Sequence, residues 1–113
     1  RNSLTPNQAM TPEDVKELVE NNQIVVFAKG TLFQPQCGFS QNAFHWINQL
    51  QKPFTVVNIF DDESIRPALV AHSGWPTTPQ VFVGGEMIGG SDIVEELFQT
   101  GELQKKVEAA FAE

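Results

Sequence analysis

The chain has 113 residues, 41% of them hydrophobic and 19% charged, a balance that suits one domain around one modest core. Its formal net charge of -7 argues against a nucleic-acid phosphate backbone or an anionic membrane surface as partner. No apolar run approaches the roughly 20 residues that span a bilayer, and a single cysteine, Cys37, excludes a disulfide scaffold and points to a reducing compartment.

Residues 1–10 are polar without a periodic pattern and read as a flexible leader; one domain is expected over 11–113. Thr11-Pro12-Glu13-Asp14 predicts a helix start, with Thr as N-cap, Pro at the first position and acids in the first turn. Val15, Leu18 and Val19 give its apolar face, and Asn21-Asn22 ends it. Ile24–Ala28 is short, β-branched and aromatic, and predicts a buried strand. A loop follows over Lys29–Gln36, then a helix over Gly38–Leu50 with Ala43, Phe44, Ile47 and Leu50 on one side. Lys52-Pro53 breaks it. Phe54–Phe60 predicts a second strand buried on both faces, parallel to the first across the helical crossover.

Asp61-Asp62-Glu63-Ser64 opens a third helix to about His72. A cap at Asp62 or Glu63 leaves Pro67 near the end of the first turn, where little hydrogen bonding is lost. Gly74–Thr78 is a loop, and Pro79 leads into a strand over Gln80–Val83. Gly84-Gly85 predicts a hairpin turn to a fourth strand, Glu86–Ile88. Gly89-Gly90-Ser91-Asp92 leads into a helix over Ile93–Gln99, stopped by Thr100-Gly101. Glu102–Ala112 forms the last helix, with Leu103, Val107, Ala110 and Phe111 inward. The order predicts an α/β fold: a four-stranded mixed sheet flanked by helices on both faces.

Cys37 sits in Pro35-Gln36-Cys37-Gly38-Phe39-Ser40, between a strand and the first turn of a helix. The partial positive charge and unpaired N–H groups there favour thiolate over thiol. Ser40 stands where a two-cysteine redox protein carries its second sulfur, so the chain closes no disulfide within itself. Any chemistry at Cys37 needs a sulfur or a metal from outside.

Four stretches in register, Lys29-Gly30-Thr31, Pro35–Ser40, Trp75-Pro76-Thr77 with Pro79-Gln80, and Gly89-Gly90-Ser91-Asp92-Ile93, resemble monothiol glutaredoxins of the CGFS type. The match runs from about Val15 to Val107. The resemblance implies the thioredoxin fold, with Pro79 in cis. It implies a glutathione site. Lys29 and Arg66 face the glycyl carboxylate, the backbone of Thr78 pairs with the cysteinyl part, and Gly90, Ser91 and Asp92 bind the γ-glutamyl end. Phe39 is expected as an exposed apolar contact beside it.

The resemblance further implies a homodimer sharing a [2Fe-2S] cluster, with Cys37 and glutathione as ligands. BolA-type proteins and iron–sulfur acceptor proteins are its implied partners. A cluster needs four ligands, usually thiolates. One chain offers one, and neither His45 nor His72 has a metal-ligand spacing to Cys37, so sharing and small thiols follow from counting once a cluster is assumed. Three departures stand out: Ser91 where many members carry Cys, Ala68 and Val70 where many carry Gly and Lys, and Pro67 for a common Gln.

Glutathione carries carboxylates at both ends and an ammonium at one. Lys29 and Arg66, two of only seven basic residues, the helix start after Gly90 and the acid Asp92 meet those needs. Thr78, ahead of a proline without N–H, offers an open strand edge. Two functions are expected: a cluster carrier, which the resemblance favours because in the family a longer loop, here Thr31–Pro35, goes with cluster binding, or a glutathione-dependent thiol–disulfide oxidoreductase using Cys37 alone. A mitochondrial or plastid matrix is the expected compartment, with a bacterial cytoplasm as the alternative.

Overall fold

The computed structural model describes residues 9–112; residues 1–8 of the expected leader lie outside them. Thr11 caps helix α1 (Pro12–Asn21) through a reciprocal box: its Oγ1 accepts from the Asp14 amide, and the Asp14 carboxylate accepts from the Thr11 amide. Strand β1 (Ile24–Ala28) is buried throughout. Helix α2 (Gly38–Asn48) and strand β2 (Thr55–Asn58) follow, then helix α3 (Ile65–Ser73) and the hairpin β3 (Gln80–Val83) and β4 (Glu86–Gly89). Helices α4 (Ser91–Thr100) and α5 (Glu102–Phe111) complete the chain.

The sheet order is β2-β1-β3-β4. β1 runs parallel to β2, with Val26 opposite Val56, and antiparallel to β3, with Val26 opposite Val81. The side-chain alternation of β1 sorts the core into two layers. Ile24, Val26 and Ala28 pack with Ala43, Phe44 and Ile47 of α2, Val94 of α4 and Leu103 and Val107 of α5. Val25 and Phe27 face the other way, against Val15 and Val19 of α1 and Ile65, Ala68 and Leu69 of α3. Helices thus cover both faces, as expected. The chain entering α1 is anchored too: the Met10 amide donates to Ser64 Oγ at 2.7 Å, and Met10 packs on the second layer.

Several boundaries differ from the sequence reading. β2 is shorter than Phe54–Phe60 and only half-buried, because it is an edge strand with one neighbour. α3 starts at Ile65 with Ser64 as N-cap, not Asp62 or Glu63. Asp62 instead accepts from the Ser64 amide at 2.8 Å and from its hydroxyl, closing a turn ahead of the helix. Pro67 becomes the third helical residue, where an N–H has no intrahelical partner to lose. α2 stops at Asn48 rather than Leu50, and α4 begins at Ser91 rather than Ile93.

This topology delivers the end of β1, the start of β3, the start of α2 and the start of α4 to one end of the molecule. No helix among the described residues is long and apolar enough to cross a membrane.

Candidate functional site

Cys37 is the N-cap of α2, in extended conformation. Its Sγ accepts from the Ser40 amide at 3.4 Å, and Ser40 Oγ lies 3.7 Å away. Burial pushes the thiol up, but the Ser40 amide and hydroxyl, the Phe39 amide and the Lys29 charge together outweigh it. The thiol therefore sits below its ordinary value. Ser40 does more than fill the second-sulfur position. It is completely buried, and its Oγ also accepts from the Lys29 amide at 3.0 Å. One hydroxyl thus ties the end of β1 to the thiol.

The loop between Lys29 and Cys37 is tightly folded. Gln36 N donates to Lys29 O at 2.8 Å, Thr31 N to Gln34 O at 3.1 Å, and Gly30 bridges Pro35. Gly30 holds φ +94°, and a Cβ there would stand 2.4 Å from Gln34 O, so only glycine fits. Asn58 braces the loop from the end of β2, its Oδ1 accepting from the Gly30 and Phe60 amides at 3.0 Å each.

Beside the thiol runs a groove of about 540 Å³. Of the residues expected in a site, Lys29, Phe39, Arg66, Thr78, Pro79, Gly90, Ser91 and Asp92 all line it. Cys37 does not line it; the half-exposed sulfur lies two residues from Phe39, which does. The Thr78-Pro79 bond is cis. Arg66 Nη2 donates to Pro76 O at 2.7 Å, joining α3 to the groove wall. Phe39 and Trp75, 64% and 51% exposed, add apolar surface to the groove lining.

The start of α4 closes the groove. Gly90 is its N-cap and supplies no side-chain cap, so the first-turn N–H groups of α4 are open to an anion. A Cβ on Gly90 would approach Pro79 O to 3.3 Å, so glycine lets the two walls come close. Ser91 is buried, its Oγ accepting from Asn42 Nδ2 at 2.7 Å. Only its main chain is therefore offered to the groove. Among the described residues no group of three or more His, Cys, Asp or Glu is placed to hold a metal ion.

The glutaredoxin family model matches residues 24–88. The chain belongs to the glutaredoxin family. An uncharacterized monothiol glutaredoxin (ycf64-like) of Synechocystis is 47% identical over 106 residues, covering 91% of this chain and 99% of that protein. The solution structure of reduced apo GrxS14 from poplar is 42% identical, with a TM-score of 0.77 over 89% of this chain and 93% of that one. A buckwheat glutaredoxin–glutathione complex is 29% identical, with a TM-score of 0.78 over 89% and 90%. The fold is the thioredoxin fold, and the glutaredoxin is a monothiol one, with Ser40 in the second-sulfur position.

Sequence reasoning did not find the polar side chains that set this geometry. Ser40, Asn58 and Asn42 each bond to a partner at least 11 positions away or on another element. Gln80 directly follows the cis proline and was legible only as part of a motif. A polar residue inside an apolar strand is the one local signal that marks it.

Proposed function

We propose that this glutaredoxin binds glutathione in the groove and, as a homodimer, carries a [2Fe-2S] cluster to iron–sulfur acceptor proteins, with BolA-type proteins as further partners. One observation carries the reading. A single thiol, held toward thiolate and without a second sulfur, stands beside a groove lined by the cations Lys29 and Arg66 and by an uncapped helix start.

Lys29 and Arg66 take the glycyl carboxylate. Thr78 pairs its main chain with the cysteinyl part, beside Pro79 and against Phe39. The open N–H groups at Gly90, Ser91 and Asp92 take the γ-glutamyl carboxylate, and the Asp92 carboxylate faces the ammonium. That a buckwheat relative forms a complex with glutathione supports glutathione as the ligand.

The donor set fits a shared cluster. Four thiolates are needed; two chains supply two copies of Cys37, and two glutathiones bound beside them supply the rest. The cluster is cargo, and the chain's own task is to hold a half-exposed thiolate next to a bound small thiol. Residues 11–113 then act as one glutaredoxin domain.

A second reading rests on the lowered thiol. The Cys37 thiolate attacks the glutathionyl sulfur of a mixed disulfide and expels the substrate thiolate. A second glutathione thiolate then attacks the Cys37–glutathione disulfide, releasing glutathione disulfide and restoring the thiolate.

Anaerobic reconstitution with iron, sulfide and glutathione separates the two. The carrier reading expects a coloured dimer that forms only when glutathione is present. A colourless monomer that turns over glutathionylated substrates briskly leaves the oxidoreductase alone.

A further inference from the structure

Gln80 is completely buried, at 0% exposure, and directly follows the cis Thr78-Pro79 bond. A buried amide is destabilising unless it is paired, and this one is paired on one side only. Nε2 donates to Trp75 O at 2.9 Å and to Thr77 O at 3.0 Å, using both of its protons. Oε1 has no partner among the described residues. Arg66 Nη2 takes the carbonyl in between, Pro76 O, at 2.7 Å.

Three successive carbonyls of the groove wall are therefore occupied by donors from β3 and α3. The pattern stops at Thr78. Among the described residues nothing bonds to its main chain, and its buried Oγ1 is also without a partner. Among the described residues Thr78 is thus the one position of the wall whose N–H and C=O are both open, next to three carbonyls already occupied.

We infer that Gln80 is a positioning residue for the thiol-peptide site: its buried amide locks the Trp75–Thr77 carbonyls and so leaves the Thr78 main chain as the single register in which an extended peptide pairs. The inference rests on reading the groove as a glutathione site. It explains why a core strand retains an amide whose oxygen is unpaired. The stabilisation it gives lies in a pre-ordered wall, which spares a ligand the entropy of ordering it.

The test is Gln80→Met, which keeps length and removes both donors together with the unpaired oxygen. The thermal midpoint, read alongside, shows that the variant folds. Glutathione affinity by calorimetry falls about tenfold. ¹⁵N relaxation shows Trp75, Thr77 and Thr78 more mobile than in the unaltered protein, and saturating glutathione restores their order. An unchanged affinity, or a wall as rigid as before, overturns the role.

Gln80→Glu places a carboxylate against two carbonyls. Its affinity deficit shrinks as pH is lowered and one O–H donor returns; a deficit constant with pH points to lost packing and contradicts positioning. The unaltered protein gives a check that needs no variant: the Gln80 side-chain amide protons exchange slowly with solvent, whereas fast exchange overturns the lock. If the unaltered protein fails to bind glutathione, the proposed function falls, while relaxation and exchange still decide whether Gln80 holds the wall.

Discussion

Helices α2 and α4 bring their N-termini to the same end of the fold, and they are finished in opposite ways. Cys37 caps α2 with its own sulfur, which accepts from the Ser40 amide. Gly90 caps α4 with no side chain at all. The same orphan N–H groups thus meet two fates: in α2 they stabilise a charge the protein makes itself, and in α4 they are left open, where the proposed glutathione would bring a carboxylate. The contrast teaches that the cap residue decides whether a helix start spends its N–H groups on the protein's own atom or leaves them open.

The largest effect comes from removing the charge at α2. Cys37→Ser keeps a capping oxygen but no ligand or nucleophile at neutral pH. Cluster assembly and thiol exchange should both vanish, as followed by absorption spectrum and glutathionylated-peptide turnover; a normal cluster in this variant would show that another residue is the ligand. Next in size is Arg66→Ala, which removes a charged donor from the groove and should weaken glutathione binding by about 1–3 kcal/mol in calorimetry. Gly90→Asp makes α4 resemble α2 by supplying an anionic cap. Its Cβ crowds Pro79 O, which offsets the few tenths of a kcal/mol that the cap gains; glutathione should weaken by about 1 kcal/mol, so unchanged affinity would mean the γ-glutamyl end lies elsewhere.

Ser40→Ala removes the hydroxyl and leaves the amide. The thiol should rise toward its ordinary value, visible as an alkylation rate whose pH midpoint moves up. The smallest effect is on stability. Cys37 is lowered in the folded state, so between that value and the ordinary thiol value the unfolded chain binds more protons, and stability rises with pH. The contribution is full above the ordinary thiol value and is lost as pH falls through the lowered one. Chemical denaturation of the unaltered protein and Cys37→Ser across that window should show this slope in the first and not in the second.

Much of this was legible in the chain because apolar periodicity and turn residues are local. The strand Ile24–Ala28, the turn Gly84-Gly85 and the capped start at Thr11 needed only near neighbours. The Lys29 and Gly90–Asp92 positions came from motifs in register and Arg66 from the family resemblance, and the fold brings them to one groove. What escaped depends on position in three dimensions. Val56 and Val57 look as apolar as Val25 and Val26, yet β2 is half-buried because it lies at the sheet edge. The α4 start was placed late because its first two residues, Ser91 and Asp92, are polar and the apolar pattern begins at Ile93. The amide of Gln80 and the hydroxyl of Ser40 find partners that no local pattern announces.

A crystal structure of the Cys37 mixed disulfide with glutathione tests the arrangement most directly. The account predicts the glycyl carboxylate at Lys29 and Arg66, the cysteinyl main chain on Thr78, and the γ-glutamyl carboxylate on the first-turn amides of α4. A tripeptide lying outside the groove, or one with its γ-glutamyl carboxylate away from α4, would contradict it.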